Sequence, residues 1–257
     1  MDARDMVIDS GGITLRGKVE VPSGDEAWPL AVLCHGIPSG PPVEGDPGYP
    51  ALAGMLVRRG LAACYFNFRG TGISGGDFSL AGWVTDLEAV LSEAAEARGP
   101  FGGCDPGKVA LMGFSGGGAV SIVCAARRGG LRGVATLSAP SDLPRLIPRE
   151  GLGMFISHAR RTGIIRDAGF PPSEDDFYRE MVEISPIAEV ARLYPTPLLL
   201  VHGDGDDMVP VGEAKRLYDT AQEPKELYIV NGGGHKLRHN PEAVGKAVSW
   251  IADRLRP

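Results

Sequence analysis

Short apolar runs bounded by turn residues recur along the chain, and stretches with a helical spacing of apolar residues lie between them. The runs that predict strands are 29–34, 61–68, 109–112, 131–137, 197–201 and 227–230. A continuous apolar run is typical of a strand that is buried on both faces. Helices are predicted at 50–59, at 82–98 and after Asn240, a suitable N-cap for a helix that begins at Pro241. This alternation predicts an α/β protein with a mostly parallel central sheet and helices on both faces.

The N-terminal segment has a different pattern. Residues 6–9 and 13–22 alternate apolar and polar side chains on either side of Gly11 and Gly12. Alternation is typical of a strand with one face in water, and glycines between two such runs favour a tight turn. We therefore predict an antiparallel hairpin ahead of the parallel strands.

One connection is far longer than the others. About sixty residues separate the strand that ends near Leu137 from the strand that starts at Pro197, whereas an ordinary connection has about 2–6 residues. Within it, 152–156 and 177–184 have helical patterns, and the stretch 169–172, with one glycine and two prolines, interrupts them.

The long connection predicts a division of the chain into two parts. We interpret residues 141–190 as a small, mainly helical cap over the carboxyl edge of the sheet. Residues 1–140 and 191–257 would then form the core into which the cap is inserted. An ordinary crossover with extra helices is the alternative.

Composition places the chain among ordinary globular proteins. Of its 257 residues, 43% are hydrophobic and 23% are charged. The formal net charge of −6 argues against nucleic acid or an anionic membrane as a standing partner. The charged start, Met1 to Asp5, lacks the apolar core of a signal peptide, and no apolar run approaches the roughly eighteen residues of a membrane span. We expect a cytoplasmic protein.

The cysteines agree with that compartment. Cys34 and Cys64 lie in predicted strands, Cys124 lies in a predicted helix, and Cys104 lies in a predicted loop. No pair of them has the spacing of metal ligands, so we expect buried, reduced thiols and no metal site.

The strongest chemical signal is a Gly-x-Ser-x-Gly sequence centred on Ser115. It follows the apolar run 109–112 and precedes a helix of small residues, 119–124. This context between a strand and a helix is typical of a serine nucleophile on a sharp turn. In so tight a turn, side chains two positions before and after the serine would clash, so Gly113 and Gly117 leave room. The start of the helix directs free N–H groups at charge that develops beside the serine.

Two other interpretations of this turn are open. The glycines could merely let a strand and a helix pack closely, or they could form a phosphate-binding loop. A phosphate-binding loop needs Gly-Lys-Ser/Thr after its glycines, and this chain has Ala119 and Val120 there instead. The nucleophile interpretation is therefore favoured.

A serine nucleophile needs a base within hydrogen-bond reach and a third group that orients the base. Among the five histidines, His235 is the best candidate because it follows the last predicted strand through a glycine loop, at the edge where ligands bind in such sheets. His239 and His158 are expected at the surface. His202, which ends a strand, is expected to be structural.

The orienting acid should come from another strand end. The loop after the run 197–201 offers Asp204, Asp206 and Asp207. From these residues alone, any of the three could be a solvated loop acid. A chain order of serine, aspartate and histidine is the order expected for one fold family.

These segments together resemble the α/β-hydrolase superfamily over nearly the whole chain. In that family a His-Gly-x-x-Asp-x-x-Val-Pro segment carries the acid, and the segment that begins at His202 places Asp206 there. A Gly-x-x-His segment carries the base, which is His235 here. The resemblance further implies that the backbone N–H groups of Ile37 and Gly116 form the oxyanion hole. Residues 67–75 resemble the (Asp/Asn)-x-Arg-Gly-x-Gly-x-Ser turn of many members, and we interpret Arg69 there as a scaffold residue that ties loops together.

Within the superfamily, the chain is most similar to small capped carboxylesterases, including relatives of cinnamoyl or feruloyl esterases and of serine aminopeptidases. This resemblance implies a serine hydrolase that cleaves carboxylic esters of small to medium acyl or aryl-acyl groups through the triad and an acyl-enzyme, without a cofactor. An amidase or peptidase is an alternative, in which Glu174, Asp175 or Asp176 could serve the departing amine or could simply form a solvated helix face. A thioesterase, an acyltransferase and a non-catalytic binding protein are further alternatives.

The helical segment 141–190 is expected to decide substrate choice. Its apolar side chains, including Met154, Phe155 and Phe177, could line an acyl or aryl pocket or form the core of the cap itself. Three arginines could meet an acidic group of a substrate or be solvated: Arg160, Arg161 and Arg166. The sequence leaves the oligomeric state open, with a homodimer among the possibilities.

Overall fold

The computed structural model describes residues 2–24, 27–40 and 46–256 of the chain. These residues form one eight-stranded sheet with the strand order β1-β2-β4-β3-β5-β6-β7-β8. In chain order, the strands are β1 (Asp2–Ser10), β2 (Ile13–Val21), β3 (Trp28–Cys34), β4 (Ala62–Asn67), β5 (Cys104–Phe114), β6 (Gly133–Leu137), β7 (Leu198–Gly203) and β8 (Lys225–Val230). β1 and β2 form an antiparallel hairpin, β2 joins β4 antiparallel, and all other pairs are parallel. The predicted hairpin and mostly parallel sheet are confirmed.

Helices cover both faces of this sheet. The α-helices of the described residues are α1 (Gly48–Val57), α2 (Leu80–Ala95), α3 (Gly116–Arg128), α4 (Leu143–Leu146), α5 (Leu152–Arg161), α6 (Glu174–Glu183), α7 (Pro186–Glu189), α8 (Gly212–Thr220) and α9 (Pro241–Leu255). Side chains of β3 alternate between two cores. Leu30 and Val32 share one core with α2 and α3, whereas Ala31 and Leu33 share the other with α1 and α9. The buried apolar runs therefore serve two layers of helices.

Residues 141–190 contain helices α4 to α7 and no strand. The predicted break at 169–172 lies between α5 and α6, but both helices are longer than predicted. α5 continues to Arg161, and α6 begins three residues earlier because Ser173 caps it. Ser173 Oγ accepts a hydrogen bond from Asp176 N–H at 3.1 Å.

Hydrogen bonds connect the helical segment, residues 141–190, to the core. The guanidinium of Arg166 donates to backbone carbonyls of the 70–74 turn at 3.0–3.3 Å. Glu180 Oε1 accepts hydrogen bonds from Ser79 Oγ and Ala81 N–H, both at 2.9 Å. The segment therefore holds both the start of α2 and the 70–74 turn.

Both ends of the helical segment meet at Ser141. Its N–H donates to the buried Glu213 carboxylate at 3.1 Å, and its hydroxyl donates to the same oxygen. Its carbonyl accepts a hydrogen bond from Ile187 N–H at 2.9 Å. The chain thus leaves the core and returns to it at one point.

Two expectations about the chain bear on its environment. No helix of the described residues is long and apolar enough to cross a bilayer.

The four cysteines are buried and form no disulfide. Cys104, which was expected in a loop, instead begins β5 because it pairs with Trp28 of β3. That pairing spans much of the chain, so local sequence pattern does not reveal it. The sequence also predicts a polar loop, rich in proline and glycine, from Pro38 to Tyr49, and its residues 41–45 lie outside the described residues.

Candidate active site

Ser115 lies on the sharp turn between β5 and α3. Its backbone has φ 50° and ψ −122°, a conformation that is costly for a residue with a Cβ. A Cβ on Gly113 would lie 2.6 Å from Gly118 Cα, and a Cβ on Gly117 would overlap the carbonyl oxygen of His35. The absence of side chains at both glycines is therefore required, as the motif predicts. The turn places the serine at the carboxyl edge of the sheet.

His235 connects Ser115 to a carboxylate. His235 Nε2 lies 3.1 Å from Ser115 Oγ, and His235 Nδ1 lies 2.9 Å from Asp206 Oδ2. The acid follows β7 and the histidine follows β8, so three strand ends bring the three predicted residues together. When Nδ1 donates its proton to Asp206, Nε2 is free to accept the serine proton.

Asp206 is held as a carboxylate. Its side chain is buried, and Oδ1 accepts hydrogen bonds from the N–H groups of Met208 at 3.0 Å and Val209 at 2.8 Å. Burial opposes the negative charge. Hydrogen bonds from His202, His235 and the backbone outweigh burial, however, and hold the pKa of this carboxyl well below its usual range.

The neighbouring acids and the nearby histidine have other contacts. Asp204 Oδ1 accepts a hydrogen bond from Gly232 N–H at 2.6 Å, and Asp207 is exposed. His202 is buried, and its Nε2 donates to Val209 O at 2.8 Å. It supports the loop that carries the acid, which is the structural position expected for it.

Two backbone N–H groups lie beside Ser115. Ile37 follows β3, Gly116 begins α3, and neither N–H donates to an acceptor within the described part of the chain. The two residues are in contact, since a Cβ on Gly116 would lie 2.8 Å from Ile37 Cγ1. The assignment of these two amides to an oxyanion hole stays a prediction, and such a role requires N–H groups without another acceptor.

His35 supports the turn that carries Ile37. Its ring lies 5.1 Å from the rings of both Phe68 and Trp83. Nδ1 donates to Gly36 O at 2.8 Å, and Nε2 accepts from Phe68 N–H at 3.2 Å. Burial lowers the pKa of His35 to about 4, so the ring is neutral at neutral pH.

The 67–74 turn is held by a buried ion pair. Arg69 Nη2 lies 2.7 Å from Asp86 Oδ1, and the backbone N–H of Arg69 donates to Asp86 Oδ2 at 2.8 Å. Ser10 Oγ donates to the same carboxylate at 2.7 Å. Asp86 lies in α2 and Ser10 ends β1. Arg69 therefore connects the 67–74 turn to α2 and to the end of β1, as predicted for a scaffold residue.

An open cleft of about 1590 Å³ lies beside Ser115 and His235. Ser115, His235 and both candidate oxyanion residues line it. The helical segment contributes an apolar wall, whose side chains are Leu143, Leu146, Ile147 and Phe155. The half-buried His158 also lines the cleft. The arrangement can bring an apolar group next to a serine–histidine pair.

Three side chains were expected to bind the substrate: Met154, Phe155 and Phe177. Of these, only Phe155 lines the cleft. Met154 is 74% exposed, on another face of α5, because neighbouring helix positions point about 100° apart. Phe177 is 2% exposed and packs its ring 6.1 Å from that of Phe78. The assignment of Met154 and Phe177 as substrate-binding residues is therefore corrected: one faces solvent and the other belongs to the core of the fold.

The three arginines of the segment differ in their surroundings. Arg160 donates to Asp167 O and Phe170 O and does not line the cleft. Arg166 lines the cleft, but backbone carbonyls occupy its N–H groups. Arg161 lines the cleft, and its side chain has no hydrogen-bond or ion-pair partner within the described residues.

The three acids considered as proton donors for a departing amine lie outside the cleft. Glu174, Asp175 and Asp176 are exposed on the first turn of α6, and none of them lines the cleft. Asp175 forms an ion pair with Arg149, and Asp176 forms one with Arg179.

Sequence reasoning missed three residues at the rim of the cleft. Arg238 forms a bidentate ion pair with Asp46, and its guanidinium lies 5.3 Å from the centre of the Tyr49 ring. This guanidinium holds the pKa of the Asp46 carboxyl well below its usual range. The paired residues are 192 positions apart, so no local pattern marks them.

Within the described residues, no group of three or more His, Cys, Asp or Glu side chains is arranged to hold a metal ion.

Comparison with known proteins gives matches over most of the chain. A family model described as "Prolyl oligopeptidase family" matches residues 49–256. The uncharacterized protein YfhR of Escherichia coli (strain K12) is 27% identical over 211 residues, which cover 80% of this chain and 66% of YfhR. The chain thus spans just under two thirds of the length of that relative.

Solved structures show the same fold. The α/β hydrolase GrgF from Penicillium sp. sh18 aligns with a TM-score of 0.76 at 20% identity, over 99% of each chain. Est1E from Butyrivibrio proteoclasticus, solved with ferulic acid bound, aligns with a TM-score of 0.73 at 24% identity, over 97% of this chain and 98% of Est1E. The predicted α/β-hydrolase fold is confirmed. Because the family model matches most of its length, the chain belongs to the prolyl oligopeptidase family.

Proposed function

We propose that this chain is a serine hydrolase that cleaves carboxylic esters of small to medium acyl or aryl-acyl groups. The observation that supports it most directly is the line of contacts from Ser115 Oγ through His235 to the buried Asp206 carboxylate, at 3.1 and 2.9 Å. The fold by itself does not support a reaction, because one fold hosts many functions. The geometry of the three side chains does.

In the first half of the proposed reaction, His235 Nε2 takes the hydroxyl proton of Ser115 as Oγ forms a bond to the ester carbonyl carbon. The carbonyl electron pair moves onto oxygen, and the N–H groups of Ile37 and Gly116 donate to this oxyanion. Loss of one such donor typically costs roughly 3–4 kcal/mol of barrier. Asp206 stabilises the imidazolium. When the oxyanion collapses, the bond to the alcohol breaks, and the alcohol leaves with the proton from Nε2.

The second half releases the acyl group. Water gives a proton to His235 Nε2 as its oxygen attacks the acyl-enzyme carbonyl, and the same two amides stabilise the second oxyanion. Collapse then breaks the bond to Ser115 Oγ, which recovers the proton from the imidazolium. The acid product leaves, and no redox or cofactor step is required for the balance.

In this proposal, residues 141–190 act as a cap that selects the acyl or aryl group. The apolar wall that they contribute is next to the triad, and burial of an apolar group there is worth roughly 25 cal/mol per Å². The structurally similar Est1E binds ferulic acid, an aromatic carboxylic acid. That likeness supports esters of aryl acids as one class of substrate to test.

The test is covalent labelling with a fluorophosphonate probe, located by peptide mass spectrometry, beside hydrolysis of p-nitrophenyl esters of increasing chain length. We expect label on Ser115 and ester turnover, and we expect Ser115→Ala to lose both. Ser138→Ala is a matched control, because the buried Ser138 hydroxyl has no hydrogen-bond partner in the described residues and does not line the cleft. A folded protein that takes no label contradicts the proposal and favours a non-catalytic binding protein.

A peptidase or amidase is the second candidate, and the description of the family favours it. The triad would act in the same way, except that His235 would protonate a departing amine. Label on Ser115 without ester turnover, together with cleavage of aminoacyl p-nitroanilides, would replace the ester proposal with this one.

A further inference from the structure

The cleft beside Ser115 and His235 has the opposite charge from the chain as a whole. Among the described residues that line it are six lysines and arginines and two aspartates, a surplus of four positive charges: Arg16, Lys18, Arg161, Arg166, Lys236 and Arg238 against Asp5 and Asp46. The chain carries a formal net charge of −6. The surplus in the cleft therefore does not follow from overall composition.

Both acids of the cleft are already paired. Asp5 accepts from Lys18 Nζ at 2.7 Å, and Asp46 forms the bidentate pair with Arg238. The four remaining cations have no carboxylate partner within the described residues. The guanidinium of Arg166 donates only to backbone carbonyls, and the side chains of the other three, Arg16, Arg161 and Lys236, have no partner there at all.

The unpaired cations come from distant parts of the fold. Lys236 directly follows His235, Arg161 ends α5 in the helical segment, and Arg16 lies on β2 opposite Asn67 of β4. A basic residue in the last turn of a helix complements the helix dipole, which would account for Arg161 alone. It does not account for a lysine in a loop and an arginine on a strand that face the same cleft.

A concave surface that presents one sign of charge focuses its field into the cleft and attracts ligands of the opposite sign. We propose that the substrate is an ester that carries a free carboxylate apart from the scissile bond, held by Arg161 and Lys236 while its apolar part lies against the wall that includes Phe155. This inference rests on the proposed ester hydrolysis and names its substrate class. A substrate recognised by a free ammonium group is disfavoured, because Asp5 and Asp46 are both occupied.

The experiment compares acids with their own methyl esters, which replace the negative charge with a neutral methyl ester group, and it follows release of the phenol in every case. One pair puts the charge on the acyl side: mono-4-nitrophenyl adipate and 4-nitrophenyl methyl adipate. The other puts it on the alcohol side: 4-acetoxybenzoate and methyl 4-acetoxybenzoate. We expect the acid of at least one pair to have a kcat/KM about tenfold higher at low ionic strength. The ratio should fall towards one in about 0.5 M salt, because salt screens exposed charges.

Charge-reversal variants locate the effect. Arg161→Glu and Lys236→Glu should each lower the ratio of kcat/KM values for acid and methyl ester by about threefold or more, mainly through KM. Lys215→Glu is the matched control: Lys215 is exposed on α8, has no side-chain partner in the described residues and does not line the cleft. It changes the net charge equally, and the ratio should stay as in the wild type.

The outcomes separate this inference from the proposed function. Equal turnover of both members of both pairs by an active wild-type protein overturns the inference and leaves the proposed function in place. A ratio that Lys215→Glu lowers as much as Arg161→Glu also overturns it, since net charge would then be the cause. A protein that hydrolyses no ester and takes no label on Ser115 overturns the proposed function and the inference together.

Discussion

The two sides of the cleft are built in different ways. On the sheet side, Ser115 directly follows β5, and Asp206 and His235 lie on short loops after β7 and β8, so neighbouring hydrogen-bonded strands bring them to one edge. On the other side, residues 141–190 contain no strand and are held by packing and by side chains that reach distant backbone, as Arg166 and Glu180 do.

Under the proposed function, the sheet side performs the chemistry and the helical side selects the substrate. A group that must be placed within a few tenths of an ångström benefits from a rigid sheet edge, because misplacement lowers the rate steeply. A wall that selects among substrates needs only a suitable shape and charge. The sheet side should therefore tolerate almost no change, and the helical side should tolerate changes that alter preference.

The largest expected effect lies on the sheet side. Asp206→Asn should lower kcat/KM for p-nitrophenyl esters by roughly 10⁴-fold, because an amide neither fixes the required imidazole tautomer nor stabilises the imidazolium. Asp207→Asn, one residue away and exposed, should retain wild-type activity. If Asp206→Asn stays active while Asp204→Asn or Asp207→Asn does not, the acid has been assigned wrongly.

The turn around the nucleophile should be equally intolerant. In Gly117→Ala, the new Cβ would overlap the carbonyl oxygens of His35 and Cys34, so we expect lost activity and a free energy of unfolding lower by about 3 kcal/mol or more. Gly245→Ala is the control, since the middle of α9 has open space there and alanine should stabilise the helix by about 0.5–1 kcal/mol. Urea unfolding measures both variants. Equal stabilities would contradict the steric explanation of the motif.

A smaller effect should appear in the pH dependence of stability. The pKa of His35 is lowered to about 4 in the folded protein, against 6.5 for an unperturbed histidine. The unfolded chain therefore binds more protons in this window, and stability should fall as pH drops from about 6.5 to 4, by ~3 kcal/mol at most.

A variant without a titratable group at position 35 isolates the contribution of His35 to the pH dependence of stability. His35→Gln keeps an acceptor near the Nε2 position but does not titrate, so its free energy of unfolding should change less over the same pH range. His239→Gln, at an exposed histidine, should match the wild type. If the His35→Gln and wild-type curves are parallel from pH 6.5 to 4, then His35 is not the group that titrates.

The smallest effect is expected on the helical side. Arg166→Ala removes hydrogen bonds to the 70–74 turn, and each is worth about 1 kcal/mol or less at this partly exposed position. We expect the ratios of kcat/KM among p-nitrophenyl esters of different chain length to change a few-fold, and with them the ranking, while label on Ser115 persists. Arg192→Ala, which removes an exposed ion pair with Glu189 outside the cleft, should leave the ranking unchanged. An unchanged ranking in both would count against residues 141–190 as a cap.

Prediction from sequence succeeded where the information is local. The glycines around Ser115 are demanded by a turn of a few residues, and the strand patterns place His235 and the Asp206 loop at one edge. The choice of Asp206 among three acids needed the resemblance to a family.

Prediction was poorer where the information is long-range. Met154 and Phe177 were misassigned because apolar character does not tell which helix face meets the core. The Asp46–Arg238 pair joins residues 192 positions apart, so its contact exists only after folding.

The meeting of both ends of the helical segment at Ser141 has a consequence for how such a protein can change. A loop whose ends are already adjacent costs little extra conformational entropy when it grows, since doubling its length adds only about 0.6 kcal/mol. The strands on either side need not shift to accommodate a longer or different insert. Under the proposed role of residues 141–190 as a cap, exchange of the chain between these two points replaces substrate preference as a unit, while the sheet and its three catalytic candidates remain as they are.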